Sequence, residues 1–151
     1  RKILEELHNT EPDKDTRCAE TFHEIAERIP ARGLVIVISD LFDDAEAIKK
    51  ALHHFQYKKH ELLLFHMMAE EELTFPFKKF DHFKCLEVDG RRVDIDPATI
   101  RASYLERVRA HLKAIELACG QMGADYVPVN TKASVNETLF SYFSNRKAGS
   151  R

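Results

Sequence analysis

The fold turns on "LVIVISDLFDD", Leu34 to Asp44. Leu34 to Ile38 are all apolar, and all but the first are β-branched. Branching at Cβ stiffens the side chain and favours extended backbone. An apolar run without polar alternation marks a strand covered on both faces, as in a parallel sheet. Leu34–Ser39 is therefore predicted to be the deepest strand of an α/β sheet. The run then ends in Ser39, Asp40, Asp43 and Asp44. In open α/β sheets ligands gather at the carboxyl ends of strands, so these acids are the first candidates for chemistry. A lone carboxylate there can bind a hard cation, accept a phosphoryl group or cap a helix. Mg²⁺ takes about six oxygens, more than one aspartate supplies. A receiver-type phosphoacceptor needs an acidic pair on a neighbouring strand end, and none precedes Asp40. A dehalogenase-like nucleophile needs D-x-D, whereas the chain reads Asp40-Leu41-Phe42-Asp43. Asp43 and Asp44 read as caps for the helix that follows.

Working outward, Arg1–His8 reads as the end of a helix with Ile3, Leu4 and Leu7 on one face. A second helix is predicted from near Thr16, on the spacing of Phe22, Ile25, Ala26 and Ile29, and Pro30 and Gly33 stop it. After the acidic turn, Ile48, Leu52 and Phe55 form a helical stripe, and Leu62–Met67 reads as a second buried strand. "EEELTFPFKKFDHF" reads as irregular. Two short strands flank Asp89-Gly90, a strong hairpin signal, which places a hairpin insertion at residues 83–95. Asp96-Pro97 opens a long helix, with Ile100, Tyr104, Val108, Leu112, Ile115 and Cys119 towards the core and Gly123 ending it. Asp125–Asn130 is a third strand, assigned to a sheet edge because Pro128 lacks a ladder donor. Ser134 and Glu137 form a capping-box pattern for a last helix carrying Leu139, Phe140 and Phe143. Helices alternating with strands predict an α/β fold.

The 151 residues suit one domain, and 44% apolar residues suffice for a core. A net charge of −2 offers no basic surface for nucleic acid or anionic lipid. The longest apolar runs are too short to cross a bilayer. Three cysteines, Cys18, Cys85 and Cys119, without a C-x-x-C pair fit a reducing, cytoplasmic setting and buried packing roles. Arg1 is not a natural start, so the chain reads as an excerpt of a longer protein.

Other chemistries leave weaker signals in the residues. Eight histidines raise zinc. His82-x-x-Cys85 has ligand spacing, but no second such pair exists, and the adjacent His53 and His54 cannot face one point on a helix. His66, inside an apolar strand, reads as a satisfied core histidine, and His111 as partly solvated. There is no G-x-S-x-G elbow, no G-x-x-x-x-G-K-S/T loop and no G-x-G-x-x-G. Phe75, Phe77, Phe80 and Phe83 read as packing for the hairpin insertion, with an exposed docking patch as the alternative.

The segments "RGLVIVISDLFDD", "ALHHFQYKKHELLLFHM" and "VDIDPATIRASYLERVRAHLKAIELACGQMGADYVPVNT" together resemble the bacterial family known as domain of unknown function 58, whose members carry a von Willebrand factor A-like domain. The resemblance spans about Thr16 to Arg146. It implies a Rossmann-like three-layer sandwich, truncated at its N-terminal strands, with residues 1–151 forming one domain. It also implies a metal-ion-dependent adhesion site. Asp40 matches the aspartate of that site, and Thr16 its threonine, although Arg17 stands where an aspartate often follows. The D-x-S-x-S element is absent and is expected upstream of Arg1. The site is thus expected to be incomplete, with Mg²⁺ a cofactor of the full-length protein and none bound to this chain.

The function so implied is a non-enzymatic interaction module, an adaptor or chaperone-like partner of MoxR-type AAA+ ATPases. The alternative is a metal-dependent hydrolase, a phosphatase or nuclease using strand-end carboxylates. Truncation would also strip a partner from Leu34–Ser39, so self-association through that edge, or its coverage by the N-terminal segment, is expected.

Overall fold

In the computed structural model, residues 2–11, 18–78, 81–84 and 92–149 are described. The elements are α1 (Lys2–Asn9), α2 (Cys18–Arg28), β1 (Leu34–Ser39), α3 (Ala45–Tyr57), β2 (Glu61–Met68), α4 (Glu70–Thr74), β3 (Asp81–Lys84), β4 (Arg92–Ile95), α5 (Pro97–Met122), β5 (Asp125–Asn130) and α6 (Val135–Gly149). The chain is mixed α/β, as predicted. A parallel three-stranded sheet runs in the order β1-β2-β5, and β3 and β4 form a separate antiparallel pair. The segment read as irregular holds the short helix α4, and the hairpin strands begin two residues earlier than the predicted insertion. The turn residues Asp89 and Gly90 lie outside the described residues.

Local signals act where the sequence places them. Asp44 caps α3, its Oδ1 accepting the Ala47 N–H at 2.9 Å. Asp96 caps α5 in the same way at Ala98, with Pro97 at the first helical position. Gly123 closes α5 in the left-handed conformation, φ 67°, which costs a side-chain-free residue little. Pro128 lies in β5, an edge strand among the described residues, the place in a sheet where proline is tolerated.

One face of the sheet carries Val37, Leu62 and Leu64, which pack on Phe22 and Ala26 of α2, Ile48, Leu52 and Phe55 of α3, and Ile115, Ala118 and Cys119 of α5. Burial holds the free thiols of Cys18 and Cys119 protonated, pushing Cys119 up to about 11. Cys85 is outside the described residues. Phe75, in the left-handed region at φ 46°, is buried, its ring tilted against Tyr104 of α5 and meeting Phe77 edge-on. That agrees with a packing role for these two phenylalanines. Phe80 is outside the described residues.

One expectation is corrected. Among the described residues β1 is not the deepest strand: it ends the sheet, and β2 is the strand paired on both sides. Along β1, Val35 and Val37 turn to the core, whereas Leu34, Ile36 and Ile38 stand exposed on the opposite face. An apolar run shows that neither face carries charge; it cannot show that a second layer reaches both. The second layer here is α6, whose Tyr142 rests on Phe65 of β2 (ring centroids 6.1 Å) and donates to Asp125 of β5 at 2.7 Å. These contacts lie over β2 and β5, beside β1. On α6, Phe140 and Phe143 are exposed. Nor does α1 cover β1, because it buries none of its residues. Among the described residues no helix is long and apolar enough to cross a membrane.

Candidate strand-end site

The turn after β1 is built on backbone hydrogen bonds, and these account for most of its acids. Ser39 Oγ accepts the Leu41 N–H at 3.1 Å, and Asp40 Oδ1 accepts the Phe42 N–H at 3.3 Å. Asp43 accepts twice, from the Asp44 N–H at 2.7 Å and from the Ala19 N–H at 3.2 Å, so it serves the first turn of α2. With Asp44 capping α3, the acidic run joins one strand end to two helix starts. Asp40 keeps an exposed carboxylate; Asp43 is partly buried.

Leu41 is fully buried with φ 50°, an uncommon conformation for a residue with a side chain. Two histidines hold it there. His66 Nε2–H donates to the Asp40 carbonyl at 2.9 Å, and His111 Nε2–H donates to the Leu41 carbonyl at 3.2 Å. A carbonyl only accepts, so each ring carries its proton on Nε2. Tyr126 Oη then donates to His66 Nδ1 at 3.1 Å, and both ring nitrogens of this fully buried histidine are satisfied. His66 is thus the core histidine expected from its strand, and His111 is partly buried.

Burial, with His111 also nearby, lowers the His66 pKa from its ordinary 6.5, while the Asp40 carbonyl opposes the shift. The unfolded chain therefore takes up this proton first as pH falls. The stabilisation is fully present above about pH 6.5 and is lost as pH falls from there through the folded-state pKa. Urea unfolding at about pH 7.5 and about pH 5.5 should show that loss. In His66→Leu the baseline stability falls, because the Asp40 carbonyl and Tyr126 hydroxyl lose their partner, but the pH-dependent part shrinks. An unchanged pH dependence in His66→Leu would place the titrating group elsewhere.

Above this turn lies a cleft of ≈ 420 Å³ at the carboxyl ends of β1 and β2. Its apolar wall is Leu41, Phe42, Met68, Tyr104 and Val108, and Asp40, Asp43, Glu72, Arg107 and His111 bring charge or polarity to it. Burial, with Glu72 nearby, pushes the Tyr104 hydroxyl up. Phe42 is 76% exposed, an aromatic ring at the site held out to solvent.

Of the two residues expected at a metal-ion-dependent adhesion site, Asp40 is at the cleft and Thr16 lies outside the described residues. Among the described residues, Asp40 is not gathered with two other histidine, cysteine or carboxylate side chains. The described donors therefore do not assemble a cage for Mg²⁺ at Asp40. The group that is gathered lies elsewhere: His23 and Glu27 of α2 with His54 of α3. His23-x-x-x-Glu27 is an i, i+4 pair legible in the sequence, but its junction with His54 needs the packing of two helices. Neither His82 nor Cys85 has a described side chain. No family model, curated protein or solved structure matches this chain.

Proposed function

We propose that the chain is a protein-interaction module, similar to the von Willebrand factor A-like partners of MoxR-type AAA+ ATPases, and that its partner docks in the strand-end cleft. In this reading the fold is the three-layer sandwich of that type, the protein is cytoplasmic, and the role is that of an adaptor or chaperone-like factor. Its support is the cleft itself, an apolar floor with mixed charge around it and an exposed Phe42. A concave apolar site with a few convergent polar groups is the usual form of a binding site, and exposed aromatics are common anchors of interfaces. The layering agrees, with α2, α3 and α5 packed on one sheet face and α6 reaching the other. The rival hydrolase reading needs strand-end carboxylates free for metal or nucleophilic work. Asp43 and Asp44 are instead engaged by backbone N–H groups, which favours the interaction module.

The test is direct binding of the purified chain to a MoxR-type ATPase by biolayer interferometry. Phe42 is exposed, so Phe42→Ala should fold normally. It is expected to weaken binding by roughly tenfold or more, the effect of losing an aromatic anchor. A folded wild-type chain that does not bind, or a Phe42→Ala variant that binds equally well, would overturn this reading.

A further inference from the structure

His23, Glu27 and His54 meet where α2 and α3 cross. Each offers one ligand atom, and the three atoms lie within 4.8 Å of one another. The helices come together here over small residues: Ala19, Ala47 and Ala51 line the groove beside the group, and Ala26 is fully buried. His23 and Glu27 share a helical face, four residues apart, and His54 reaches them from the facing helix. Its ring centroid is 4.5 Å from that of His23. His54 Nε2–H donates to Glu27 Oε1 at 2.5 Å. The other carboxylate oxygen, Oε2, accepts from Lys58 Nζ at 3.3 Å, and the same ammonium lies 3.5 Å from the Glu27 carbonyl. These partners keep the Glu27 carboxyl below its usual range, His54 foremost. The ligand is therefore ionised at neutral pH.

The geometry points to a binding site for a borderline divalent cation of the zinc class, formed by His23, Glu27 and His54. Imidazole and carboxylate are the ligand types such ions take, and two histidines with one glutamate is an established three-ligand set for zinc. Bond lengths of about 2.0–2.2 Å in a tetrahedron put ligand atoms roughly 3.3 Å apart. The group reaches that by opening the Glu27–His54 contact by about 1 Å and turning His23 inward. The cation takes the place of the hydrogen between Glu27 and His54, whose ring binds through Nε2 as neutral imidazole with its proton on Nδ1. Lys58 stays on Oε2, the outer hydrogen bond that orients a ligating carboxylate. Three protein ligands leave a fourth position for water or for a side chain of a partner. The groove gives access, and it shares no residue with the strand-end cleft. The ion would cross-link α2 to α3, so it acts on stability as well as on ligand exchange.

The experiment is calorimetric titration of the tag-free chain with ZnCl₂, with the absorption spectrum of the Co²⁺-loaded chain as a second readout. Variants are His23→Ala, Glu27→Gln and His54→Ala, with His53→Ala as a control on the neighbouring helical position. The expected result is one Zn²⁺ per chain and a tetrahedral Co²⁺ spectrum. Zn²⁺ should also raise the Tm of the wild type and of His53→Ala. Each ligand variant should lose more than the roughly 10–100-fold in affinity that removing a ligand's outer partner costs, and should lose the Tm rise. All three sites of substitution are at least partly exposed, so the variants should fold. No binding by the wild-type chain, or binding that survives both histidine substitutions, would overturn the assignment. So would an equal loss in His53→Ala.

Discussion

Phe55→Ala is expected to remove about 3–5 kcal/mol of folding stability, the usual cost of deleting a fully buried phenylalanine ring. Phe55 is 0% exposed on the inner face of α3. Its ring meets Phe22 of α2 edge-on at 6.3 Å and His60 at 6.2 Å. It shares the core with Ile48, Leu52, Leu62 and Leu64. Truncation loses the transfer free energy of the ring and leaves a cavity that two helices and a strand cannot close without moving. Against a typical total of about 5–15 kcal/mol, that is a large share. At about 2–4 °C per kcal/mol for a chain of this size, Tm falls by roughly 6–20 °C. Urea denaturation of both proteins at one pH measures it through the shift in midpoint at constant slope. A loss under about 1 kcal/mol would mean that the α2–α3 layer is far looser than its burial indicates.

The second large effect concerns β1. In this chain the strand is expected to associate with a second copy, and Ile36→Lys is expected to abolish that association. β1 pairs with β2 along one side, from Leu34↔Glu61 to Ser39↔His66, and among the described residues ends the sheet on the other. Such an edge presents unpaired N–H and C=O groups, which protein chains ordinarily protect with charge, proline, a bulge or a cover. Between Leu34 and Ser39 there is neither charge nor proline. Leu34, Ile36 and Ile38 add an exposed apolar stripe beside the edge, at 52%, 53% and 68%. Ile36 sits in its middle and is exposed in the single chain, so lysine there should leave the fold intact while placing charge in the contact. Sedimentation velocity across a concentration series decides the matter. Wild-type chain should shift to a heavier species as concentration rises, and Ile36→Lys should stay monomeric. A wild-type chain that remains monomeric throughout would show that the stripe is tolerated in water.

The particular residues show where sequence reading succeeded. Wherever a signal acts over a few residues, its outcome was legible. Asp44 and Asp96 cap helices because a carboxylate one residue before a helix reaches its free N–H groups. Gly123 ends α5 because a left-handed residue is needed there. Pro128 marks an edge strand because it has no donor. His66 was recognisable as a core histidine because it sits in an apolar strand, although its partners, the Asp40 carbonyl and Tyr126, were not. At the strand end, Asp44 was legible as the cap of α3, whereas Asp43, read with it as a cap of that helix, accepts from the Asp44 and Ala19 N–H groups. That Asp43 also serves the start of α2 depends on the approach of Ala19, 24 residues earlier.

The class of the fold, the order of its helices and strands apart from α4, and the caps of α3 and α5 were thus legible from the residues alone. Those follow from periodicity, branching and short-range hydrogen bonding, all of which act between neighbours along the chain. Only the tertiary structure decided which strand is central, which side of β1 is covered, which face of α6 is used, and that His23, Glu27 and His54 meet. Each of these depends on which surfaces the whole chain brings together. An apolar side chain carries the same information whether its burial partner is present or not, and a histidine does not encode which helix it will face.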